Sequence, residues 1–152
     1  MTLITSGNLG SGGVSLTSIT GAYTDLYLWV YGVKFDASGK YIGVWADGSS
    51  GSLRVTQLIN TTAETSTYIR FGSSQQYLSG VMALGVLFKN YTNATGRKPI
   101  FYAGSSNDGT NDNELVGGGM ANLTAAITRL DVENAVGGGN ITAGSYELWG
   151  IK

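Results

Sequence analysis

The sequence predicts an all-β fold, an antiparallel β-sandwich of jelly-roll-like form with about eight to nine strands. Apolar and polar residues alternate with a period of two in most stretches between turns, whereas helical periodicity is almost absent. Segments rich in Gly, Asn, Asp and Ser separate these stretches at a spacing of roughly 8–12 residues, which is typical of a sandwich or barrel. An immunoglobulin-like sandwich is the alternative that the pattern leaves open.

The predicted strands follow one another along nearly the whole chain, after a possible extended N-terminal arm at residues 1–12. The alternating stretches assigned to strands are 13–20, 23–35, 40–46, 52–60, 66–72, 81–91, 98–104, 123–133 and 145–151. The segment 120–130 is the one stretch whose pattern fits a short helix, and the same pattern also fits a Thr-rich strand. The glycine runs 117–119 and 137–139 are expected to form flexible loops before late strands.

The stretch 23–35 is the most informative of these strands. One of its faces carries the aliphatic side chains of Leu26, Leu28 and Val30, the stripe expected of a core. The opposite face carries five aromatic residues, Tyr23, Tyr27, Trp29, Tyr31 and Phe35. A face turned to water should be polar, so this aromatic face is expected to be covered. Either loops or a second sheet cover it within the chain, or it packs against a neighbouring subunit, where Tyr and Trp are enriched. Both interpretations can hold together.

The last stretch, 145–151, alternates almost to the end of the chain. Trp149 shares a face with Glu147 and Ile151, opposite Leu148. This pattern indicates a strand that closes a sheet, with Trp149 directed at a second sheet or a second subunit. The side chains predicted to form a subunit interface are therefore Tyr27, Trp29, Tyr31 and Trp149.

Composition excludes several kinds of function. The 152 residues suit one domain, and charged residues make up only 12% of them with a net charge of −1, which disfavours nucleic-acid binding. Cysteine and histidine are absent, which excludes disulfides, thiolate metal sites and the commonest general base. No segment reads as a signal peptide or a membrane span. We therefore expect a protein made in a cytoplasm, without membrane insertion and without a cofactor.

The segment 107–114 contains the strongest cluster of oxygen ligands. Its residues Asn107, Asp108, Asn111 and Asp112 are candidates for a binding loop. The run does not match the spacing of a calcium loop, and Asn-Asp-Gly sequences are also ordinary turn chemistry, so we predict no metal.

Asp131 and Glu133 share one face of a predicted strand, and a pair of neighbouring carboxylates is also the catalytic set of glycosidases. The sequence offers no opposite wall for a cleft, so a solvent-facing edge is expected. Without histidine a serine triad cannot form. The protein is therefore predicted not to be an enzyme.

Both ends of the chain resemble a known group of proteins. LITSGNL at 3–9, VSLTSITGAYTDLYLWVYGV at 14–33 and the closing NITAGSYELWGIK at 140–152 are similar to small β-rich virion proteins of tailed bacteriophages. The segment ITRLDVEN at 127–134 lies where those proteins carry a strand before the final loop. The resemblance covers about half of the chain and includes no catalytic residue.

This resemblance implies a jelly-roll-like virion module that is commonly a homotrimer. One expected role is a capsid decoration or cement protein on the outer surface of the phage particle, bridging subunits of the major capsid protein or other virion proteins. The alternative is the receptor-binding tip of a tail fibre or spike, which would recognise a host-surface glycan or protein through the segments 105–114 and 117–119. The chain begins close to its first predicted strand, without a shaft, which favours decoration.

Overall fold

Two antiparallel sheets form the fold in a computed structural model, which describes residues 1–37, 39–48, 53–59, 62–71, 81–107, 112–136 and 138–152. The strands in these ranges are β1 (Thr2–Asn8), β2 (Gly13–Leu16), β3 (Asp25–Phe35), β4 (Ile42–Ala46), β5 (Leu53–Ile59), β6 (Thr62–Ser66), β7 (Ile69–Phe71), β8 (Val81–Phe88), β9 (Lys98–Asn107), β10 (Asp112–Ala121), β11 (Leu130–Asn134) and β12 (Ile141–Ile151). The larger sheet has the order β1-β12-β3-β8-β9-β10-β5-β6, and the smaller has the order β2-β11-β4-β7.

The inner faces of the two sheets pack together into one core, which confirms the predicted all-β antiparallel sandwich. Leu26, Leu28 and Val30 of β3 are buried to 1% exposure or less, as the alternation predicted. They belong to the same cluster as Val44 and Val132 of the smaller sheet. Each sheet therefore needs the other to remove its apolar face from water.

The described residues form twelve strands, and the expectation of eight to nine is wrong. Three strands lie where none was predicted: β1 in the supposed arm, β6 between two predicted strands, and β10 across a glycine run. The arm is an edge strand because β1 pairs with β12 from Thr2 to Asn8. The segment 123–133 was predicted as one strand, but only its end contributes to β11, which begins at Leu130.

The first glycine run is also not a loop. Gly117, Gly118 and Gly119 lie within β10 and pair with β9 on one side and β5 on the other. Glycine is a poor strand former alone, but two neighbouring strands supply hydrogen bonds to both edges of this segment, and tertiary pairing overrides the local preference. Of the second run, residue 137 lies outside the described residues, and Gly138 and Gly139 have positive φ in the connection between β11 and β12.

A β-bulge at Gly32 changes which side chains of β3 reach the core. Gly32 has a φ of 66°, and the register with β8 shifts between Tyr31 and Val33. Val33 and Phe35 are consequently buried at 1% and 2% exposure. The assignment of Phe35 to the aromatic outer face is therefore wrong, because one extra residue inverts the alternation beyond it.

Tyr23 also leaves the face predicted for it. It precedes β3 and packs against the core, where its ring covers Gly150 of β12. A Cβ atom at Gly150 would lie 2.3 Å from Cγ of Tyr23. The outer aromatic face of β3 thus consists of Tyr27, Trp29 and Tyr31.

Candidate functional site

The outer face of the larger sheet is apolar across its central strands. We call this surface the aromatic face and define it by Tyr27, Trp29 and Tyr31 of β3, Trp149 of β12, Leu3 of β1, Leu87 of β8, Phe101 of β9, and Val116 and Met120 of β10. Cross-strand pairs place these residues on one side: Trp149 is opposite both Leu3 and Tyr27, and Leu87 is opposite both Tyr27 and Phe101. The four predicted interface residues therefore lie together, although they come from the two ends of the sequence.

The three aromatic rings of β3 form a stacked row along the strand. The ring centroids of Tyr27 and Trp29 are 6.4 Å apart with planes inclined by 14°, and those of Trp29 and Tyr31 are 6.3 Å apart with planes inclined by 27°. Residues two apart on a strand point to the same side, which brings the rings next to one another. Such offset stacking holds a flat, amphipathic surface in place.

Gly85 of β8 makes room for this row. It lies opposite Trp29, and a Cβ atom there would be 2.5 Å from Oη of Tyr27 and 3.2 Å from two ring carbons of Trp29. Both rings therefore rest directly on the backbone of β8. Sequence reasoning missed Gly85, although a lone glycine inside the apolar stretch 81–88 is a known sign of close approach to a strand.

Glu147 is a charged residue beside the aromatic rings of this face, and both of its carboxylate oxygens accept hydrogen bonds. Nε1 of Trp149 donates to Oε2 at 3.0 Å, and the hydroxyl of Tyr31 donates to Oε1 at 3.4 Å. Glu147 is also directly opposite Trp29. The carboxylate thus links the aromatic residues of β3 and β12 and satisfies the polar atoms of two of them.

The aromatic face also concentrates the exposed apolar side chains. Among the described residues, the large hydrophobic side chains classed as exposed are Met1, Leu3, Phe101, Val116 and Met120. All except Met1 lie on the aromatic face, and Phe101 and Val116 are each 56% exposed. Single exposed apolar residues are common, but a contiguous group marks an interaction surface.

Only the two ends of the predicted binding loop lie within the described residues. Asn107 ends β9 and Asp112 begins β10, and they pair directly, with Nδ2 of Asn107 donating to Oδ1 of Asp112 at 2.6 Å. Asp108 and Asn111 lie outside the described residues. The described parts of this segment, residues 105–107 and 112–114, belong to β9 and β10, and the run 117–119 lies within β10.

In the described part of the chain, no group of three or more acidic, Cys or His residues is placed to hold a metal ion. The same residues include no helix with the length and apolar character needed to cross a membrane.

Asp131 does not lie on a solvent-facing edge as predicted. It belongs to β11, an inner strand of the smaller sheet, and is only 2% exposed. Arg129 and Ser15 cover its carboxylate, with Nε of Arg129 donating to Oδ1 at 2.8 Å. Trp45 of β4 is the cross-strand neighbour of Asp131, so its side chain lies beside Asp131 on the same face of the smaller sheet. Sequence reasoning missed Trp45 because β4 and β11 are far apart in the chain, whereas Arg129, two residues before Asp131, could have been found from its spacing on the same strand face.

The comparisons with known proteins return no match: no family model, no curated protein and no solved structure aligns significantly with this chain.

Proposed function

We propose that the protein is a structural subunit of a bacteriophage virion, which decorates the outer capsid and stabilises it by bridging capsid subunits. The observation that carries the proposal is the aromatic face, a contiguous apolar surface that the described residues leave exposed or half-exposed. The resemblance of both ends of the sequence to virion proteins supplies the setting. It also supports a homotrimer, in which the aromatic face contacts a second copy.

The composition of the aromatic face supports a role in assembly. Protein interfaces are enriched in Tyr, Trp, Phe and Met and depleted of charge at their centres. The carboxylate of Glu147 on this face already accepts hydrogen bonds from Tyr31 and Trp149, so neither of its oxygens lacks a donor when a partner covers it. Because the rings of Tyr27 and Trp29 already stack, little side-chain entropy is lost when a partner binds.

Self-association through the aromatic face can be tested by placing a charged side chain at positions of this face that are exposed in the isolated subunit. Phe101 and Val116 are exposed in the monomer, so Phe101→Glu and Val116→Glu should fold normally. A carboxylate buried without a partner costs several kcal/mol, so each variant should weaken self-association by about a hundredfold or more. Thr17→Glu is the matched control, since Thr17 is exposed and lies outside the aromatic face. Sedimentation velocity at micromolar concentration measures the association, and circular dichroism checks the fold.

Trp29→Ala is the complementary variant because it removes the middle ring of the stacked row. We expect a loss of about 1–3 kcal/mol in the free energy of unfolding together with weaker association. A wild-type protein that is monomeric at micromolar concentration, with Trp29→Ala unchanged in stability, would contradict the assignment of the interface.

The place on the virion requires a second measurement. Co-sedimentation with capsids lacking the protein should be positive for the wild type and lost for Val116→Glu. Adsorption of the purified protein to host cells, without binding to capsids, would instead support the tail-fibre tip.

A further inference from the structure

The smaller sheet carries a shallow cavity on its outer surface, on the opposite side of the sandwich from the aromatic face. Its lining residues are Trp45, Gly48, Arg129, Asp131 and Glu133, and its volume is about 250 Å³. This volume is slightly below the range typical of sites for drug-sized molecules, so the cavity suits a single small ring. The inference drawn from it is independent of the proposed function, because it uses none of the residues of the aromatic face.

Asp131 is the most unusual group in this cavity. The hydroxyl of Ser15 donates to its Oδ1 at 2.6 Å, Nε of Arg129 donates to the same oxygen at 2.8 Å, and Nη2 of Arg129 lies 2.7 Å from it. The other oxygen, Oδ2, is buried and accepts no hydrogen bond from the described residues. An unsatisfied buried acceptor is costly, so its retention indicates a group that another molecule can supply with a donor.

Trp45 provides a fixed flat wall beside this carboxylate. Its ring lies over Gly43, where a Cβ atom would be 2.2 Å from Cη2 of the indole. One side of the ring stacks on Tyr68, with centroids 5.0 Å apart and planes inclined by 19°. Glu133 is opposite Gly43 in the next strand, so its carboxylate belongs to the same end of the cavity. The indole is therefore held in one orientation next to two carboxylates.

The cavity combines hydrogen-bond donors and acceptors of both charges. Arg129 offers guanidinium N–H donors, while Asp131 and Glu133 offer acceptors, and Asp47 lies nearby with its Oδ1 accepting from the backbone N–H of Arg129 at 2.9 Å. Arg129 is already paired with Asp131, so these two charges largely compensate each other, and Glu133 offers acceptor oxygens beside the pair. A neutral polyol suits such a mixture, because each hydroxyl both donates and accepts, and its C–H groups can pack on an aromatic ring.

We propose that the Trp45–Asp131 cavity binds one ring of a neutral saccharide. The ring packs against the indole of Trp45, its hydroxyls donate to Glu133 and to Oδ2 of Asp131, and Arg129 donates to a hydroxyl oxygen. A single small ring gives a dissociation constant on the order of 1 mM, so longer surface glycans would bind through repeated weak contacts.

The experiment uses the whole protein with free glucose, galactose, mannose and N-acetylglucosamine as probes. Trp45 becomes the only tryptophan when Trp29 and Trp149 are changed to Phe, since the chain has three tryptophans. Fluorescence of Trp45 and saturation-transfer NMR then report binding at probe concentrations of about 10 mM. Methylguanidinium and methyl phosphate at the same concentration are the cationic and anionic comparison probes.

Glu133→Gln is the decisive variant because it keeps the shape of the side chain and removes its charge. It should weaken saccharide binding roughly tenfold, the value of one charge-assisted hydrogen bond. Trp45→Ala should abolish binding, and Thr17→Ala, a truncation at an exposed position outside both surfaces, should stay within about twofold of the parent. Three results would each overturn the proposal. They are no binding of any saccharide, saccharide binding that is unchanged in Glu133→Gln and Trp45→Ala, and tighter binding of methylguanidinium or methyl phosphate than of the saccharides. None of these results bears on self-association through the aromatic face, which is measured separately.

Discussion

Changing Gly117 to Ala tests whether the first glycine run is a packed strand or a flexible loop. Gly117 lies opposite Tyr102, and a Cβ atom there would be 2.4 Å from Cζ and from Oη of that ring. Tyr102 is only 3% exposed, and its hydroxyl donates to the carbonyl oxygen of Thr56 at 3.2 Å. The added methyl group therefore meets the ring of a buried, hydrogen-bonded side chain, which has to shift to admit it.

The expected cost follows from these contacts. Overpacking a core costs about 1–3 kcal/mol, and losing the hydrogen bond to Thr56 adds about 1 kcal/mol. Gly117→Ala should thus lower the free energy of unfolding by roughly 2–4 kcal/mol. In a chain of this size each kcal/mol lowers the Tm by about 2–4 °C, which gives a fall of roughly 4–16 °C.

Thermal unfolding followed by circular dichroism measures this difference. Gly118→Ala is the matched control, since the nearest atom to its Cβ is the carbonyl oxygen of Ile100 at 3.2 Å, and we expect a smaller loss. A double-mutant cycle with Tyr102→Leu should show that the cost of Gly117→Ala depends on the ring. Equal Tm values for the wild type, Gly117→Ala and Gly118→Ala would refute the packing argument and restore the loop.

Two further predictions concern pH. Burial by itself would raise the pKa of Asp25. Hydrogen bonds from Lys89 and from the backbone N–H of Asn90 outweigh this effect and hold the pKa below its ordinary 3.8. The stability that this carboxylate contributes is therefore complete above pH 3.8 and is lost as pH falls through the lower pKa of the folded state. The free energy of unfolding in urea should fall between pH 7 and pH 3, and it should fall less for Asp25→Asn than for the wild type. An unchanged difference would contradict this role. Burial raises the pKa of Tyr102, so the unfolded state releases this proton first and stability falls as pH rises above the ordinary 10.0. Tyrosinate absorbance should show that Tyr102 ionises only when the protein unfolds at alkaline pH. If Tyr102→Phe and the wild type show the same absorbance change at that transition, the prediction is wrong.

Much of the aromatic face was predictable from the sequence. The alternation in 23–35 placed Tyr27, Trp29 and Tyr31 opposite the core stripe, and the alternation in 145–151 placed Trp149 on one face with Glu147. These predictions hold because side-chain direction in a regular strand depends only on position along the chain. The same rule failed at Phe35, since the bulge at Gly32 interrupts the regular strand.

The local sequence determined the class of fold, most of its strands and the aromatic side of β3, because the period of two and the turn residues act over a few neighbouring positions. Only the tertiary structure decided that Trp149 lies beside Tyr27, that Gly117 is part of a packed strand and that Asp131 is buried beside Trp45. Each of these depends on which distant strands pair and in what register. That pairing and register depend on which apolar faces are buried together and on how the connections run, and neither can be read from a few neighbouring positions.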